Sequence, residues 1–333
     1  MTRIFIPSSL GGHMHTRRQF LAASTAAITA FSTTSAYAAG PLSVVATTGM
    51  IADAVRRIGG DAVTVKALMG PGVDPHAYRQ TRSDIAAMAR ADLVLWHGLY
   101  LEAQMEDFFG DLGRKRMVVP VAEGLPKDQL LGHDDYENRF DPHVWMDPSM
   151  WIGVVQAVGE ALGEARPDLA GTFSANANGY MEELEMLAAY GTETLALVPA
   201  EKRVLLSAHD AFGYFGRAYG FEVIGIQGIS TESEAGLNRI SALVDMLVTR
   251  KLPAAFVETS VSDRNIRALI EGAAAQGHTV KIGGELYSDA MGPDGSYEGT
   301  YIGMIDHNVT TIAGALEATV DPGGMSGKLG LES

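Results

Sequence analysis

The chain has 333 residues, 47% of them hydrophobic and 20% charged, a balance that excludes disorder and collagen-like repeats. Its formal net charge is −15 and no Lys/Arg run exceeds three residues, so it offers no basic face for nucleic acid. With no cysteine, it cannot form disulfides, thiolate zinc sites, iron–sulfur clusters or a cysteine nucleophile, and no residue can carry a thioether lipid.

Residues 1–38 read as a targeting segment. Thr16-Arg17-Arg18-Gln19-Phe20-Leu21 is a twin-arginine pattern, Ala22 to Phe31 is a mild apolar run, and Ala36-Tyr37-Ala38 has the spacing of a cleavage site. The run is well short of the ~20 residues that span a bilayer. The expectation is a soluble exported protein without a lipid anchor, retained in a periplasm, and His13 and His15 are set aside with the leader.

Beyond the leader, strand and helix patterns alternate. Leu42 to Thr47 reads as a buried strand, Met50 to Ile58 as a helix and Ala62 to Leu68 as a strand. Ser83 to Ala89 reads as a helix, Asp92 to Trp96 as a strand, Leu101 to Phe109 as a helix and Arg116 to Pro120 as a strand. In the second half the strands are Arg203 to Ser207, Glu222 to Ile226, Ala254 to Val257 and Thr279 to Ile282, and Ile302 to Ala318 is a closing helix. This alternation predicts an α/β protein of two βα lobes with mostly parallel sheets, over 39–168 and 198–333. Between them, Leu169, Phe173, Ala177, Tyr180, Leu184 and Leu187 mark one face of a helix over 169–197, which at ~1.5 Å per residue is as long as a small domain is wide. Gly171, Gly179 and Gly191 each disfavour that helix by about 1 kcal/mol relative to Ala.

Seven histidines remain after the leader. Three of them sit in loops: His76 in Asp74-Pro75-His76, His143 in Asp141-Pro142-His143, and His209 in Ser207-Ala208-His209-Asp210, at intervals of 67 and 66 residues. Proline stiffens two of these loops, and the loops past strand ends are where open α/β sheets place ligands. A fourth loop, Leu286-Tyr287-Ser288-Asp289, supplies a carboxylate. Three imidazoles and a carboxylate suit one divalent first-row ion held in the cleft, with two ligands from each half. His97 reads as a supporting or structural residue, His133 as part of a polar loop, and His278 and His307 as surface or helix-face residues. Asp210 is a candidate cap or orienting group, and Glu258, at a strand end, a partner for an imidazole N–H.

These motifs, together with Val144-Trp145-Met146-Asp147-Pro148, Ala211-Phe212-Gly213-Tyr214-Phe215 and Gly228-Ile229-Ser230-Thr231-Glu232, resemble those of the substrate-binding proteins of zinc and manganese ABC transporters, of the cluster A-I type. The resemblance runs in order over nearly the whole chain after the leader. It implies two βα lobes joined by one rigid helix and a single Mn2+ or Zn2+ held by His76, His143, His209 and Asp289. It also implies delivery of that ion to an ABC-type membrane permease by a protein that is not an enzyme, expected to act as a monomer. The segment between the first two ligands is short, without the long His-rich insertion of many zinc-specific relatives, and the wording from His209 to Gly236 is closest to manganese and mixed members. The competing reading is a metal-dependent exported hydrolase. Four protein ligands close a site that catalysis keeps open for water, and neither H-E-x-x-H nor G-x-S-x-G occurs. Imidazoles must be neutral to ligate, so with an ordinary pKa near 6.5 binding is expected to weaken below about pH 6.

Overall fold

A computed structural model describes Met1, residues 40–133 and residues 136–330. The twin-arginine pattern, the Ala36-Tyr37-Ala38 site, His13 and His15 lie outside the described residues.

In the first half, short runs rich in Val and Leu form β1 (Leu42–Ala46), β2 (Val63–Ala67), β3 (Leu93–Trp96) and β4 (Met117–Pro120). They pair as one parallel sheet in the order β2-β1-β3-β4. Parallel neighbours need crossovers, supplied by α1 (Gly49–Gly59), α2 (Arg82–Arg90) and α3 (Glu106–Gly113). In the second half β5 (Val204–Ser207) pairs with β6 (Glu222–Gly225) and β7 (Ala254–Glu258) with β8 (Lys281–Leu286), both parallel, and β5 runs beside β7. The helices there are α6 (Gly213–Tyr219), α7 (Leu237–Arg250), α8 (Arg264–Ala275) and α9 (Tyr301–Ala315). Local chemistry sets the starts. Thr48 Oγ1 accepts from Ile51 N at the head of α1, and Thr81 and Asp84 form a reciprocal capping box on α2.

Three elements depart from the sequence expectation. The helix expected from Leu101 begins only at Glu106, after a 3-10 turn over Ala103–Met105. Gly98, Leu99 and Tyr100 all have positive φ, and this left-handed stretch breaks the helix register. The strand expected over Thr279 to Ile282 is displaced to Lys281–Leu286. It runs through Gly283, where a Cβ would lie 2.7 Å from the Phe256 ring, so packing selects the glycine that weakened the sequence pattern. Helix α4 (Pro148–Ala165) is absent from the sequence reading, although Asp147 caps it through Ser149 N and Pro148 occupies its first turn.

The long middle pattern is one unbroken helix, α5 (Ala170–Leu195). Phe173, Ala177, Tyr180, Leu184 and Leu187 form its buried stripe. A Cβ on Gly191 would fall 2.7 Å from the Tyr219 hydroxyl, so this glycine lets α6 approach α5. Helix α5 is bonded to both halves. Asn176 Nδ2 donates to Ile58 O at 2.8 Å and the Tyr180 hydroxyl to Asp53 at 3.1 Å, both on α1, while the Tyr190 hydroxyl meets Thr310 Oγ1 of α9 at 2.9 Å. Asp53 also accepts from Tyr301 N, which brings α9 onto the same carboxylate. Burial pushes the Asp53 pKa up against these hydrogen bonds. The largest apolar cluster runs from Val44 and Ile51 through Trp151 and Leu184 to Met304 and Ile312, so the two halves share one core. A second cluster, around Leu206, Leu247 and Leu269, lies within the second half. No helix among the described residues is long and apolar enough to cross a membrane.

The glycines separate two kinds of stability effect. At Gly225, the end of β6, a Cβ would lie 2.5 Å from Asp210 N and 2.7 Å from Gln227 O, both backbone atoms. Gly225→Ala is expected to destabilise by about 1–3 kcal/mol. Gly171 and Gly179 face open space on α5, and Ala at either is expected to stabilise by about 0.5–1 kcal/mol. Urea unfolding midpoints of the metal-free protein check both signs.

Candidate metal centre

The fold places His209 just past β5 and Asp289 just past β8. His76 lies in the long connection between β2 and α2, and His143 directly before a 3-10 turn over Val144–Met146 that leads to α4. The two halves thus contribute two segments each, and the four side chains meet between them. His143 and His209 are fully buried, Asp289 is 2% exposed and His76 6%. One ligand atom from each lies within 4.8 Å of every other.

The polar atoms converge on one point. His76 Nε2 and His143 Nε2 are 3.2 Å apart. Asp289 Oδ1 is 3.3 Å from His143 Nε2, and Oδ2 is 3.3 Å from His209 Nε2, so both carboxylate oxygens face the centre. Ligands ~2.1 Å from a common ion at tetrahedral angles are about 3.4 Å apart, which is the spacing of these pairs. His209 Nε2 and Asp289 Oδ1 are buried and make no well-aligned hydrogen bond among the described residues, each facing another group of the cluster at 3.3 Å. Such atoms cost free energy unless a ligand takes them up, and imidazole nitrogen with carboxylate oxygen is a donor set that a divalent transition ion accepts.

Two further carboxylates orient the rings. His143 Nδ1 donates to Asp141 Oδ1 at 2.7 Å, and the same oxygen accepts from His143 N. His209 Nδ1 donates to Glu258 Oε2 at 2.6 Å, while Glu258 Oε1 accepts from His209 N. Holding the proton on Nδ1 turns each Nε2 lone pair inward and raises ring basicity. Burial opposes charging of His143, but Asp141 and Asp289 outweigh it and its pKa is pushed up to about 9. Burial opposes charging of His209 as well, yet Asp289 and Glu258 drive its pKa well above the usual range. Asp289 is held well below the ordinary carboxylate range, its burial outweighed by His209 and His143. His76 differs: burial, with the neighbouring His143 and His209, lowers its pKa to about 3 despite Asp289.

The structure brings together the four candidate residues and leaves the other histidines outside. His97 is buried and donates from Nε2 to Pro142 O at 2.7 Å, steadying the peptide before His143. His133 packs edge-on against Tyr136, His278 bonds Leu252 O, and His307 bonds Glu285 O. Glu258 stands at its strand end as a partner of His209. Asp210 does not cap α6, whose start carries no side-chain cap. The orienting role of Asp141 went unread in the sequence, although its place two residues before His143 was a signal. Trp145, whose Nε1 donates to Ser288 O at 2.7 Å, ties the His143 segment to the Asp289 segment and had no signal in the sequence.

Residues 44–315 match the family described as ZnuA, zinc-uptake complex component A, periplasmic. The chain belongs to this family. It is 48% identical over 287 residues to the zinc-binding protein TroA of Treponema pallidum, covering 86% of this chain and 92% of that protein. It is 47% identical over 276 residues to the manganese-binding lipoprotein MntA of Bacillus subtilis, covering 83% and 90%. The solved structure of the periplasmic zinc-binding protein TroA superposes with a TM-score of 0.81, covering 83% of this chain and 99% of that one. The chain is therefore a substrate-binding transport protein and not an enzyme, which sets the hydrolase reading aside.

The raised pKa values move the expected pH dependence upward. Neighbouring acids raise the pKa of His143 to about 9 and raise that of His209 as well, so an ion taken up here would compete with protons on both rings, while burial favours the neutral form of His76. Protons compete more strongly as pH falls, so affinity is expected to drop steadily below about pH 9 rather than only below pH 6. Binding near pH 7 should release close to two protons, measured by calorimetry in buffers of different ionisation enthalpy. Glu258→Gln is expected to weaken binding by about 10–100-fold in a direct titration.

Proposed function

We propose that this protein captures one divalent ion, Mn2+ or Zn2+, through His76, His143, His209 and Asp289, and delivers it to the membrane permease of an ABC-type transporter. One observation carries the reading: three buried imidazoles and both oxygens of a buried carboxylate converge, with two of the rings fixed by further buried carboxylates. A single chain supplies the whole donor set, which supports action as a monomer. The kinship to a zinc-binding and a manganese-binding protein at nearly equal identity supports both ions.

With both Asp289 oxygens inward the site offers five donor atoms, a number manganese accepts readily, while three imidazoles favour zinc. Zinc binds such donors more tightly at equal availability, so use as a manganese carrier rests on geometry and on which ion is present during loading. The twin-arginine pattern fits this, because that route carries folded proteins and places loading before export. The leader over 1–38, lobes over 39–168 and 198–333 and a joining helix over 169–197 complete the reading, with residence in the periplasm and no cysteine to hold a lipid. The core shared between the halves supports a modest closure rather than a wide one.

Elemental analysis of natively exported protein, with titration of the stripped form against Mn2+ and Zn2+, tests the proposal. One equivalent of either ion is expected. Ala at His76, His143 or His209 is expected to weaken binding at least about tenfold. Normal affinity in His76→Ala would remove that residue from the ligand set. Blocking the twin-arginine translocase is expected to abolish the exported form, and export that persists would assign the leader to another route.

A further inference from the structure

The four ligand segments are not held alike. The His143 segment is bonded to both halves through buried groups. His97 Nε2 reaches Pro142 O at 2.7 Å, the Tyr214 hydroxyl of α6 donates to Asp141 O at 2.8 Å, and Trp145 Nε1 donates to Ser288 O at 2.7 Å. His209 is locked to Glu258 at both its backbone N and Nδ1. His76 is held by a carboxylate at its backbone N but not at its ring. Among the described residues no carboxylate bonds its Nδ1, and at 6% it is the most exposed residue of the four.

The two Asp-Pro-His tripeptides also use their aspartates differently. Asp141 spends one oxygen on its own histidine, at both the backbone N and Nδ1. Asp74 Oδ1 accepts from His76 N at 2.8 Å, and Oδ2 turns to the other half, where the Thr231 hydroxyl donates to it at 2.5 Å. Thr231 belongs to Gly228-Ile229-Ser230-Thr231-Glu232, a motif that contributes no ligand. The next residue, Glu232, accepts from Gln104 Nε2 at 2.8 Å, a second bond between the halves at the exposed rim. Ser230 and Glu232 line a small cavity together with His76 and Tyr100, which places this segment at the mouth of the centre.

We propose that Thr231 is the positioning residue for His76. Through Asp74 it clamps the one histidine without a carboxylate on its Nδ1, and lifting of the 228–232 segment lets His76 withdraw first. The ion is then held by three ligands, with one coordination position open to water or to a permease group, so Thr231 sets the release rate. The inference rests on the metal-binding reading above. It assigns the 228–232 motif to retention and release rather than to coordination.

The test is metal release from Zn2+-loaded and Mn2+-loaded protein into excess chelator, followed by stopped flow. Thr231→Val keeps the shape and removes the hydroxyl, and is expected to speed release about tenfold or more, as loss of a group that orients a ligand does. Thr231→Ser restores the donor and is expected to stay within about threefold of the parent, since the hydrogen bond is retained. Gln104→Ala breaks the rim bond without touching the His76 loop, and is also expected to stay within about threefold, as exposed polar contacts are weak. Melting temperatures of the metal-free variants should match the parent, and Thr231→Ala serves as a second removal variant if Thr231→Val melts lower. Release unchanged in both removal variants, or Thr231→Ser as fast as Thr231→Val, overturns the proposal. Acceleration by Gln104→Ala equal to that by Thr231→Val assigns the effect to closure of the halves in general and overturns it too. A parent protein that takes up no ion defeats the metal-binding reading itself, a result distinct from a parent that binds while the variants release at its rate.

Discussion

Three imidazoles and a carboxylate cannot share one buried point unless something compensates the charges and lone pairs that face each other there. In this protein the compensation comes in two exchangeable forms. Without an ion, Asp289, Asp141 and Glu258 raise the pKa of His143 and His209 and so favour protonated rings. With an ion, the same acids keep the rings in one tautomer and aim their Nε2 lone pairs inward. The outer carboxylates have supports of their own, since Asp141 and Glu258 also accept the backbone N–H groups of the histidines they orient. The His143 and His209 rings are thereby fixed at backbone and far nitrogen, so little ordering of these two remains for a bound ion to impose.

The surrounding fold keeps those loops at a set distance. Helix α5 is bonded to α1 and α9, Asp53 joins all three helices, and one apolar core passes through the two halves. A packed core moves between discrete arrangements and does not deform continuously. Adjustment at the centre therefore falls to the connecting loops. In the His76 loop Asp74 bonds Thr231 of the other half, whereas Asp141 turns to the ring of His143.

Much of this was legible along the chain. The parallel strands appear as short apolar runs because parallel sheets are covered on both faces, and α5 shows its 3.6-residue stripe across three glycines. The two Asp-Pro-His tripeptides and the His209 loop stood out because stiff loops past strands are unusual places for a histidine. The illegible parts have physical causes. Helix α4 buries Met150, Trp151, Val154, Val155, Val158, Ala161 and Leu162 at helical spacing, a stripe masked by the apolar Ile152, Ala157 and Ala165 beside it and weakened by Gly153, Gly159 and Gly163. The start of α3 was misplaced because Leu99 and Tyr100 adopt a left-handed conformation that neither residue type signals. Glu258 was legible as a partner for an imidazole N–H, but its pairing with His209, and those of Trp145 with Ser288 and Thr231 with Asp74, span 49, 143 and 157 residues, beyond the reach of local pattern.

Composition, periodicity and the spacing of a few motifs were enough to determine an α/β chain of two halves around one helix, without thiol chemistry, carrying three histidines and an aspartate in loops. These features follow from properties that act within a few residues: side-chain volume, backbone preference and apolar repeat. What only the tertiary structure decided is which nitrogen of each ring faces the centre, which carboxylates fix two of the rings, and that Asp74 is bonded across to Thr231 of the opposite half. Those outcomes depend on distances between groups far apart in the chain, and electrostatic and hydrogen-bond energies change over fractions of an ångström that no spacing in a sequence records.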